Sequence, residues 1–298
     1  MEQVIAVDQQ DLDRGKRLAV HCATIVAVLL LVDLDGVVYR GAQAVPGVAG
    51  VLKRRAAAGD RVVYVTNNSR WHREDYKARL EGHGVPLGDG WDNIVTAARA
   101  AAVLLAERVP RPRIAMVFGG PGLARELREV GMRIVKPTPH GLAAAPDALV
   151  VGVDFNLTYE RLSTAADAVR RGALFVATNR DPIYPVADGH LMAGAGSLVA
   201  AVVVAAGREP DIVVGKPEPL LFETAAELAG MALRDAVVVG DGLATDIRAA
   251  NAVGARSVLM LTGVTTAADL AAAPAAAQPT RVAHNASELE RALGDLSS

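Results

Sequence analysis

The feature that most constrains this chain is a regular alternation, from Ile25 onward, of short β-branched runs with alanine-rich stretches. Strands buried on both faces of a parallel sheet read as continuous apolar runs, and the stretches between them are long enough for covering helices. The alternation therefore predicts an α/β fold with a parallel sheet between layers of helices. The predicted strands cover 25–32, 61–66, 113–118, 148–152, 174–178, 211–214, 236–240 and 256–261. The predicted helices cover 47–58, 71–82, 94–107, 121–130, 159–171, 195–206, 217–229, 246–253 and 287–293.

Length and composition exclude several classes of protein. The chain has 298 residues, which favours two domains over one. Its formal net charge is -2 and no run of basic residues stands out, so a nucleic-acid binder is not expected. Cys22 is the only cysteine, which excludes an intramolecular disulfide and suits a reducing compartment.

Two proline-containing breaks divide the chain. One lies at Val109-Pro110-Arg111-Pro112 and the other at Gly207-Arg208-Glu209-Pro210, each just before a predicted strand. We therefore expect a discontinuous core domain made of residues 1–108 and 211–298. A cap domain of residues 109–210 is expected as an insertion into this core.

The N-terminal segment imitates a targeting sequence. Three basic residues between positions 14 and 17 precede an apolar stretch from Leu18 to Val32, as in a signal peptide. The stretch is shorter than the roughly 20 apolar residues that cross a bilayer, and it continues into Asp33 with no small-residue cleavage pattern. We therefore predict an N-terminal appendage over residues 1–20, no membrane partner and a cytoplasmic location.

The strongest chemical signal is Asp33-Leu34-Asp35-Gly36, which directly follows the first predicted strand. Reactive groups collect at the carboxyl ends of parallel strands, and Gly36 allows the chain to turn there. Asp33 can attack phosphorus, while Asp35 can protonate the leaving alkoxide and later activate water. The competing interpretation is a strand-terminating turn, in which Asp and Gly are common.

Thr66-Asn67-Asn68 follows the second predicted strand. A hydroxyl, two amides and the backbone N–H groups of a helix start can hold a phosphate without net charge. The alternative is an ordinary N-terminal cap for the helix over 71–82. A similar pattern, Thr178-Asn179-Arg180-Asp181, occurs later. From the order along the chain we assign the first copy to the phosphate and the second to the cap.

Two more polar groups follow predicted strands in the second half of the chain. Lys216 opens a predicted helix, where a cation opposes the helix dipole, so this position favours a role against a carboxylate and phosphate oxygens. Asp241 ends strand 236–240 and is the first choice as a ligand of Mg²⁺, which prefers hard oxygen ligands. For Asp246 three roles stay open: a second metal ligand, a hydrogen-bonding neighbour of a ligand, or a helix N-terminal acid.

These four groups are expected at the strand ends of one sheet. They supply a nucleophile, phosphate donors, a cation and a metal ligand, which is the set that phosphoryl transfer requires. The sequence therefore predicts a magnesium-dependent phosphatase for small phosphate monoesters, with an aspartyl-phosphate intermediate on Asp33. Its partner would be a small phosphorylated metabolite.

The motifs resemble the haloacid dehalogenase superfamily, in particular its NagD-like subclass IIA, which includes p-nitrophenyl and phosphoglycolate phosphatases. The resemblance covers about residues 27–290 and implies a Rossmann-like core with an inserted α/β cap of the C2 type. It rests on Asp33-Leu34-Asp35-Gly36-Val37, Thr66-Asn67-Asn68, Thr178-Asn179-Arg180-Asp181, Gly194-Ala195-Gly196-Ser197-Leu198, Gly215-Lys216-Pro217, Gly240-Asp241, Thr245-Asp246 and Leu261-Thr262-Gly263-Val264.

The resemblance also implies roles for individual residues. Asp33 would be the nucleophile and Asp35 the acid–base. Mg²⁺ would be held by the Asp33 carboxylate, the Asp35 backbone carbonyl and Asp241. The residues implied around the phosphate are Gly36, Thr66, Asn67, Asn68 and Lys216, and those implied as cap contacts to the substrate are Asp181 and Tyr184. Tyr184 stands where pyridoxal phosphatases carry a His, which argues against pyridoxal phosphate as the favoured substrate.

Two other interpretations of the same motifs stay open. A phosphomutase or other phosphotransferase would use the same nucleophile, and a non-catalytic protein could bind a phosphorylated metabolite in the same pocket. Dehalogenation is disfavoured because it has no leaving oxygen for Asp35 to protonate. The sequence determines neither the substrate nor the oligomeric state, so a homo-oligomer is also open.

Overall fold

The structure is a computed structural model that describes residues 27–88, 90–185 and 191–296. The predicted appendage over 1–20 and the start of the predicted strand 25–32 lie outside these residues. The strands are β1 (Leu29–Asp33), β2 (Tyr39–Arg40), β3 (Gln43–Ala44), β4 (Arg61–Thr66), β5 (Ile94–Thr96), β6 (Ile114–Phe118), β7 (Arg133–Val135), β8 (Ala148–Val151), β9 (Leu174–Ala177), β10 (Ile183–Pro185), β11 (Leu191–Ala193), β12 (Ile212–Val213), β13 (Ala236–Gly240), β14 (Arg256–Met260) and β15 (Arg281–Ala283). The helices are α1 (Val48–Ala57), α2 (Arg73–Gly82), α3 (Ala97–Glu107), α4 (Pro121–Glu129), α5 (Pro139–Ala143), α6 (Tyr159–Arg170), α7 (Ala195–Ala206), α8 (Leu220–Ala229), α9 (Arg248–Ala252), α10 (Ala267–Ala272) and α11 (Ala286–Leu296).

A six-stranded parallel sheet forms the centre of the core, in the order β15-β14-β13-β1-β4-β5. Strand β1 lies between β13 and β4, and its side chains alternate between the two faces. Leu29 and Leu31 pack with α3, α8 and α9, whereas Leu30 and Val32 pack with α1, α2 and α11. Burial on both faces explains why this strand is a continuous apolar run rather than an alternating one.

A second sheet has five parallel strands in the order β12-β9-β8-β6-β7. Helices α6 and α7 cover one of its faces, and α4 packs on the other. Leu123 and Leu127 of α4 belong to the same apolar cluster as Val65 and Val95 of the first sheet. The two sheets are therefore joined by a continuous core. The predicted α/β class with a parallel core sheet and an α/β cap is confirmed.

Two segments differ in kind or in pairing from the predicted elements. Ile94–Thr96 is strand β5 rather than the start of a helix, because Thr96 accepts a hydrogen bond from the Arg99 N–H and begins α3 as its N-cap. The predicted strand 211–214, expected to open the second core segment, pairs instead with β9, where Ile212 lies opposite Val176. The cap sheet thus extends to Val213, past the predicted boundary at residue 210.

Short strands account for most of the elements that the sequence pattern did not reveal. Strands β2 and β3 form a two-stranded hairpin directly after Asp35, and β10 and β11 form another within the cap. Strand β15 adds the outer edge of the core sheet with only three residues. Among the described residues, none of the helices combines the length and apolarity needed to cross a bilayer.

Candidate active site

The carboxyl ends of three neighbouring strands bring the predicted groups together. Strands β13, β1 and β4 are adjacent in the core sheet, and they lead into Asp241, end at Asp33 and end at Thr66, respectively. Lys216 was expected at a strand end of the same sheet, but it follows β12 of the cap sheet. The chain crosses from the cap back to the core at this point, and it carries Lys216 into the site as it crosses.

Lys216 lies between two carboxylates. Its Nζ is 2.6 Å from Oδ1 of Asp33 and 2.7 Å from Oδ1 of Asp246. All three residues are buried, with Lys216 only 3% exposed. Burial alone would lower the pKa of Lys216, but the charges of Asp246 and Asp33 raise that pKa well above its usual value. The ammonium is therefore charged at any physiological pH.

Asp33, Asp241 and Asp246 form a compact group of carboxylates. One oxygen of each lies within 4.8 Å of the others, and all three residues are buried. Burial raises the pKa of Asp33 above its usual range, Asp246 and Asp241 add to this effect, and Lys216 opposes it. Three buried carboxylates beside a single ammonium leave a net negative site of hard oxygen donors. This donor set fits a divalent cation such as Mg²⁺.

The carboxylate of Asp241 is held from the loop that follows β14. The Val264 N–H donates to its Oδ2 over 2.7 Å. A Cβ at Gly263 would lie 1.8 Å from the same oxygen, so only glycine leaves room for it. Burial and, to a smaller extent, the charge of Asp246 raise the pKa of Asp241. The Val264 hydrogen bond and the charge of Lys216 oppose this rise, and the resulting pKa is about 7.

Gly36 is required twice at this site. Its φ is 80°, in the left-handed region that favours glycine. A Cβ at this position would also lie 2.2 Å from Oδ2 of Asp241. Its carbonyl accepts a hydrogen bond of 2.6 Å from the Thr262 hydroxyl, which ties the Asp33–Gly36 turn to the loop that holds Asp241. Gly36 thus brings the backbone close to Asp241.

Asp35 lies in the turn after β1 and is exposed to solvent. Protein atoms packed near the carboxyl group nevertheless displace water from it, and this desolvation raises the pKa of Asp35. The positive charges of Arg79 and Lys216 reduce that rise. Arg79 is fixed by stacking over the Tyr39 ring and by a hydrogen bond to the Gly41 carbonyl. An accessible carboxyl with a raised pKa can both donate a proton and take one from water.

Both oxygens of Asp246 are used within the protein. Oδ1 accepts from Lys216, and Oδ2 accepts from the Gly242 N–H at 3.2 Å and the Thr245 hydroxyl at 3.0 Å. These hydrogen bonds orient Asp246 towards Lys216, and its place beside Asp33 and Asp241 keeps it a candidate metal ligand as well.

The side chains of Asn67 and Asn68 contact protein groups rather than facing open space. Oδ1 of Asn67 accepts from the Lys216 N–H at 2.8 Å, and its Nδ2 donates to the Lys216 carbonyl at 2.9 Å and to Asp181 at 3.0 Å. Nδ2 of Asn68 donates to the Tyr184 hydroxyl at 3.1 Å. The hydroxyl oxygen of Thr66 accepts a hydrogen bond from the Asn68 N–H. Thr66 is buried at the end of β4, the strand next to β1.

The predicted cap contacts, Asp181 and Tyr184, therefore lie at the core site. Tyr184 also packs edge-on against Phe155, with ring centroids 5.5 Å apart. The guanidinium of Arg70 lies 3.8 Å from the Phe155 ring centroid. Tyr184 and Phe155 belong to the cap and Arg70 to the core, so these contacts lie where cap and core meet.

Several residues at the site were not assigned a role from the sequence. Thr262, Gly263 and Val264 were noted only as part of a resemblance, yet they position Asp241 and Gly36. A polar and glycine-containing segment after β14 was the available signal, because β14 neighbours the strand that leads to Asp241. Asn179, whose Nδ2 donates to the Asn67 carbonyl at 2.7 Å, was noted only as part of the second Thr-Asn pattern, which was assigned to the cap.

Comparison with known proteins agrees with this geometry. The family model described as haloacid dehalogenase-like hydrolase matches residues 30–133, and a second one, HAD-hydrolase-like, matches residues 213–289. Human chronophin is 39% identical over 86% of this chain and 88% of its own length.

Two solved structures are similar over nearly the whole described chain. Glycerol phosphate phosphatase from Mycobacterium tuberculosis, in complex with calcium, is 37% identical with a TM-score of 0.78, covering 88% of this chain and 74% of its own. The p-nitrophenyl phosphatase from Archaeoglobus fulgidus is 32% identical with a TM-score of 0.80, covering 89% of this chain and 99% of its own. The chain belongs to the haloacid dehalogenase-like hydrolases, in the NagD-like subclass IIA of phosphatases.

Proposed function

We propose that this protein hydrolyses small phosphate monoesters by transferring the phosphoryl group to Asp33 and then to water. The observation that carries the proposal is the convergence of Asp33, Asp241, Asp246 and Lys216 at one buried point beside the solvent-accessible Asp35. This arrangement combines a nucleophile, a cation and hard oxygen donors with a group able to exchange protons with water.

Asp33 and Asp241 are the proposed carboxylate ligands of Mg²⁺, and the resemblance adds the Asp35 backbone carbonyl. When bound, Mg²⁺ supplies charge neutralisation for the phosphoryl oxygens. The glycerol phosphate phosphatase of M. tuberculosis is also known in complex with magnesium, which supports magnesium as the ion.

The remaining steps belong to the protein's own residues. Lys216 neutralises the carboxylate and phosphate oxygens at the moment Asp33 attacks phosphorus. Asp35 protonates the departing alkoxide, and as a carboxylate it then takes a proton from the water that attacks phospho-Asp33. The bond from phosphorus to the Asp33 oxygen breaks in this second step, which releases inorganic phosphate and restores the carboxylate.

We propose a small phosphate monoester as the substrate class, with glycerol phosphate as the first compound to test. Relatives named as glycerol-3-phosphate phosphatases from human and D-glycerol 3-phosphate phosphatase from M. tuberculosis are both 38% identical to this chain. Cytoplasmic location, which the single cysteine favours, is part of the same proposal.

The test is phosphate release from a panel of metabolites, with p-nitrophenyl phosphate as a generic substrate, in the presence and absence of Mg²⁺. We expect magnesium-dependent release from p-nitrophenyl phosphate and from at least one glycerol phosphate. A protein that binds inorganic phosphate but releases none from any ester would support a non-catalytic phosphometabolite-binding protein instead.

A further inference from the structure

The side chain of Asn67 makes a two-sided contact with the peptide groups of Lys216. Its carbonyl oxygen Oδ1 accepts from the Lys216 N–H at 2.8 Å, and its amide nitrogen Nδ2 donates to the Lys216 carbonyl at 2.9 Å. One amide thus pairs with both the donor and the acceptor of a single residue. This contact fixes the backbone of Lys216 in position and in orientation.

The cap uses the second hydrogen of the same amide. Nδ2 of Asn67 also lies 3.0 and 3.2 Å from the two carboxylate oxygens of Asp181. An amide nitrogen carries two hydrogens, and here one points to Lys216 and the other to Asp181. No donor of this side chain is left for a phosphate. The amide cannot be reversed either, because its oxygen would then face the acceptors of Lys216 and Asp181.

The surrounding backbone is built around this contact. A Cβ at Gly215 would lie 2.7 Å from Oδ1 of Asn67 and 2.7 Å from the Thr178 carbonyl, so glycine is required where Lys216 passes between core and cap. The Gly215 N–H donates to that Thr178 carbonyl at 2.8 Å. From the cap, Nδ2 of Asn179 donates a hydrogen bond of 2.7 Å to the backbone carbonyl of Asn67.

We infer that Asn67 is a positioning residue that aims the Lys216 ammonium at Asp33, and that Asp181 of the cap holds Asn67 in place. The inference rests on the proposed function in taking Lys216 as the cation that neutralises phosphate. It replaces the sequence-based assignment of the Asn67 side chain to the phosphate. Asp181 correspondingly acts on the reaction through Asn67 and Lys216.

The test is a double-mutant cycle between Asn67→Ala and Lys216→Ala, read as kcat on p-nitrophenyl phosphate with saturating Mg²⁺. A misplacement of a reacting group by about 1 Å can cost on the order of 10²-fold in rate, and we expect a loss of this size for Asn67→Ala alone. In the Lys216→Ala background the same substitution should change kcat by less than about twofold, because its effect passes through the missing ammonium. If the kcat losses of the two single variants multiplied in the double variant, the two side chains would act independently. That result would overturn the inference and favour a direct contact of Asn67 with phosphate.

Binding of inorganic phosphate, measured by calorimetry on the same four proteins, gives a readout that needs no turnover. Asn67→Ala should weaken phosphate binding to the otherwise unaltered protein and leave it unchanged in the Lys216→Ala background. Equal weakening in both backgrounds would contradict the inference. Because this readout is independent of hydrolysis, it stays decisive even if the proposed function fails.

Two further variants separate positioning from general damage to the fold. Asn67→Asp keeps an oxygen for the Lys216 N–H and the volume of the side chain, but it places a second oxygen against the Lys216 carbonyl and the Asp181 carboxylate, so its kcat should fall at least as far as that of Asn67→Ala. A kcat close to that of the unaltered protein would overturn the inference. The matched control is Asn251→Ser, since Nδ2 of Asn251 likewise donates to two carbonyls, those of Ala276 and Gln278, on the exposed surface. The control should retain full kcat. A comparable kcat loss in Asn251→Ser would show that the losses report stability alone.

Discussion

The Nζ atom of Lys216 lies 2.6 Å from Oδ1 of Asp33, although 183 positions separate the two residues in the sequence. The contact joins the strand at the centre of the core sheet to the segment that returns from the cap. It places a cation that cannot lose its proton at physiological pH against the proposed nucleophile. This pairing lowers the cost of bringing an anionic phosphate towards an anionic carboxylate.

Asp33→Asn should abolish turnover, because the substitution removes the attacking oxygen's charge with almost no change in volume. We expect kcat on p-nitrophenyl phosphate to fall by at least about 10⁴-fold, as when other enzymes lose their nucleophile. Circular dichroism and the melting temperature should show an intact fold. A variant that turns over at the original rate would refute Asp33 as the nucleophile.

Lys216→Ala should lower kcat by about 10²- to 10³-fold, the usual cost of removing one electrostatic partner of the transition state. It also leaves the buried Asp33 and Asp246 carboxylates without their cation, and breaking such a buried pair costs about 3–5 kcal/mol. The melting temperature without metal should therefore drop, and Mg²⁺ should restore more of it in the variant than in the original protein. If kcat stayed unchanged, Lys216 would have no part in the chemistry.

Gly263→Ala should weaken metal binding although it replaces none of the proposed ligands. The added Cβ would lie 1.8 Å from Oδ2 of Asp241, so the carboxylate or the loop must move. Disturbing a group that orients a ligand typically costs 10- to 100-fold in metal affinity, and we expect the Mg²⁺ concentration for half-maximal activity to rise by about this factor. The matched control is Gly294→Ala, where a Cβ meets nothing within 4 Å. Equal Mg²⁺ requirements in both variants would contradict the account.

Metal binding should depend on pH through Asp241, whose pKa is raised to about 7. Below that pH a proton must leave before the carboxylate can bind Mg²⁺, so apparent affinity should fall up to about tenfold per pH unit. The raised pKa means that the stability contributed by the protonated carboxyl is complete below about pH 4 and is lost as pH rises through about 7.

Thermal melts with and without Mg²⁺ check this dependence. The melting temperature without metal should decrease between about pH 5 and pH 8 on account of this group, and the increase caused by Mg²⁺ should be larger at pH 8 than at pH 6. Asp241→Asn should remove most of that difference. An increase of the same size at both pH values would show that Asp241 does not compete for protons and metal.

Much of this architecture was predictable because the signals were local. The long apolar runs at β1, β4 and β13, and the polar residues at or just after their ends, identified the core sheet and its reactive edge. Strands of two or three residues, such as β5 and β12, carry too few side chains for their periodicity to be read. Strand β12 was therefore assigned to the wrong sheet, since the partner of so short a strand depends on long-range packing.

The same limit applies to the site. Asp33, Asp241 and Lys216 were identifiable because charged residues are rare at the ends of buried strands. The contact of Asn67 with Lys216 was not, because it joins residues 149 positions apart and an asparagine after a strand also fits a phosphate contact or a helix cap. Only the geometry distinguishes these roles. The contact between Tyr184 and Phe155 within the cap is likewise visible only in the structure.

The covalent intermediate is tested most directly in an Asp35→Asn variant given p-nitrophenyl phosphate. The p-nitrophenolate leaving group needs no protonation, so Asp33 should still be phosphorylated, while the second step lacks the carboxylate that activates water. Rapid mixing should then release about one p-nitrophenolate per active site in a burst, and peptide mapping after acid quench should find the phosphate on Asp33. Linear product release with no burst, and no phosphate on residue 33 while turnover continues, would contradict the account.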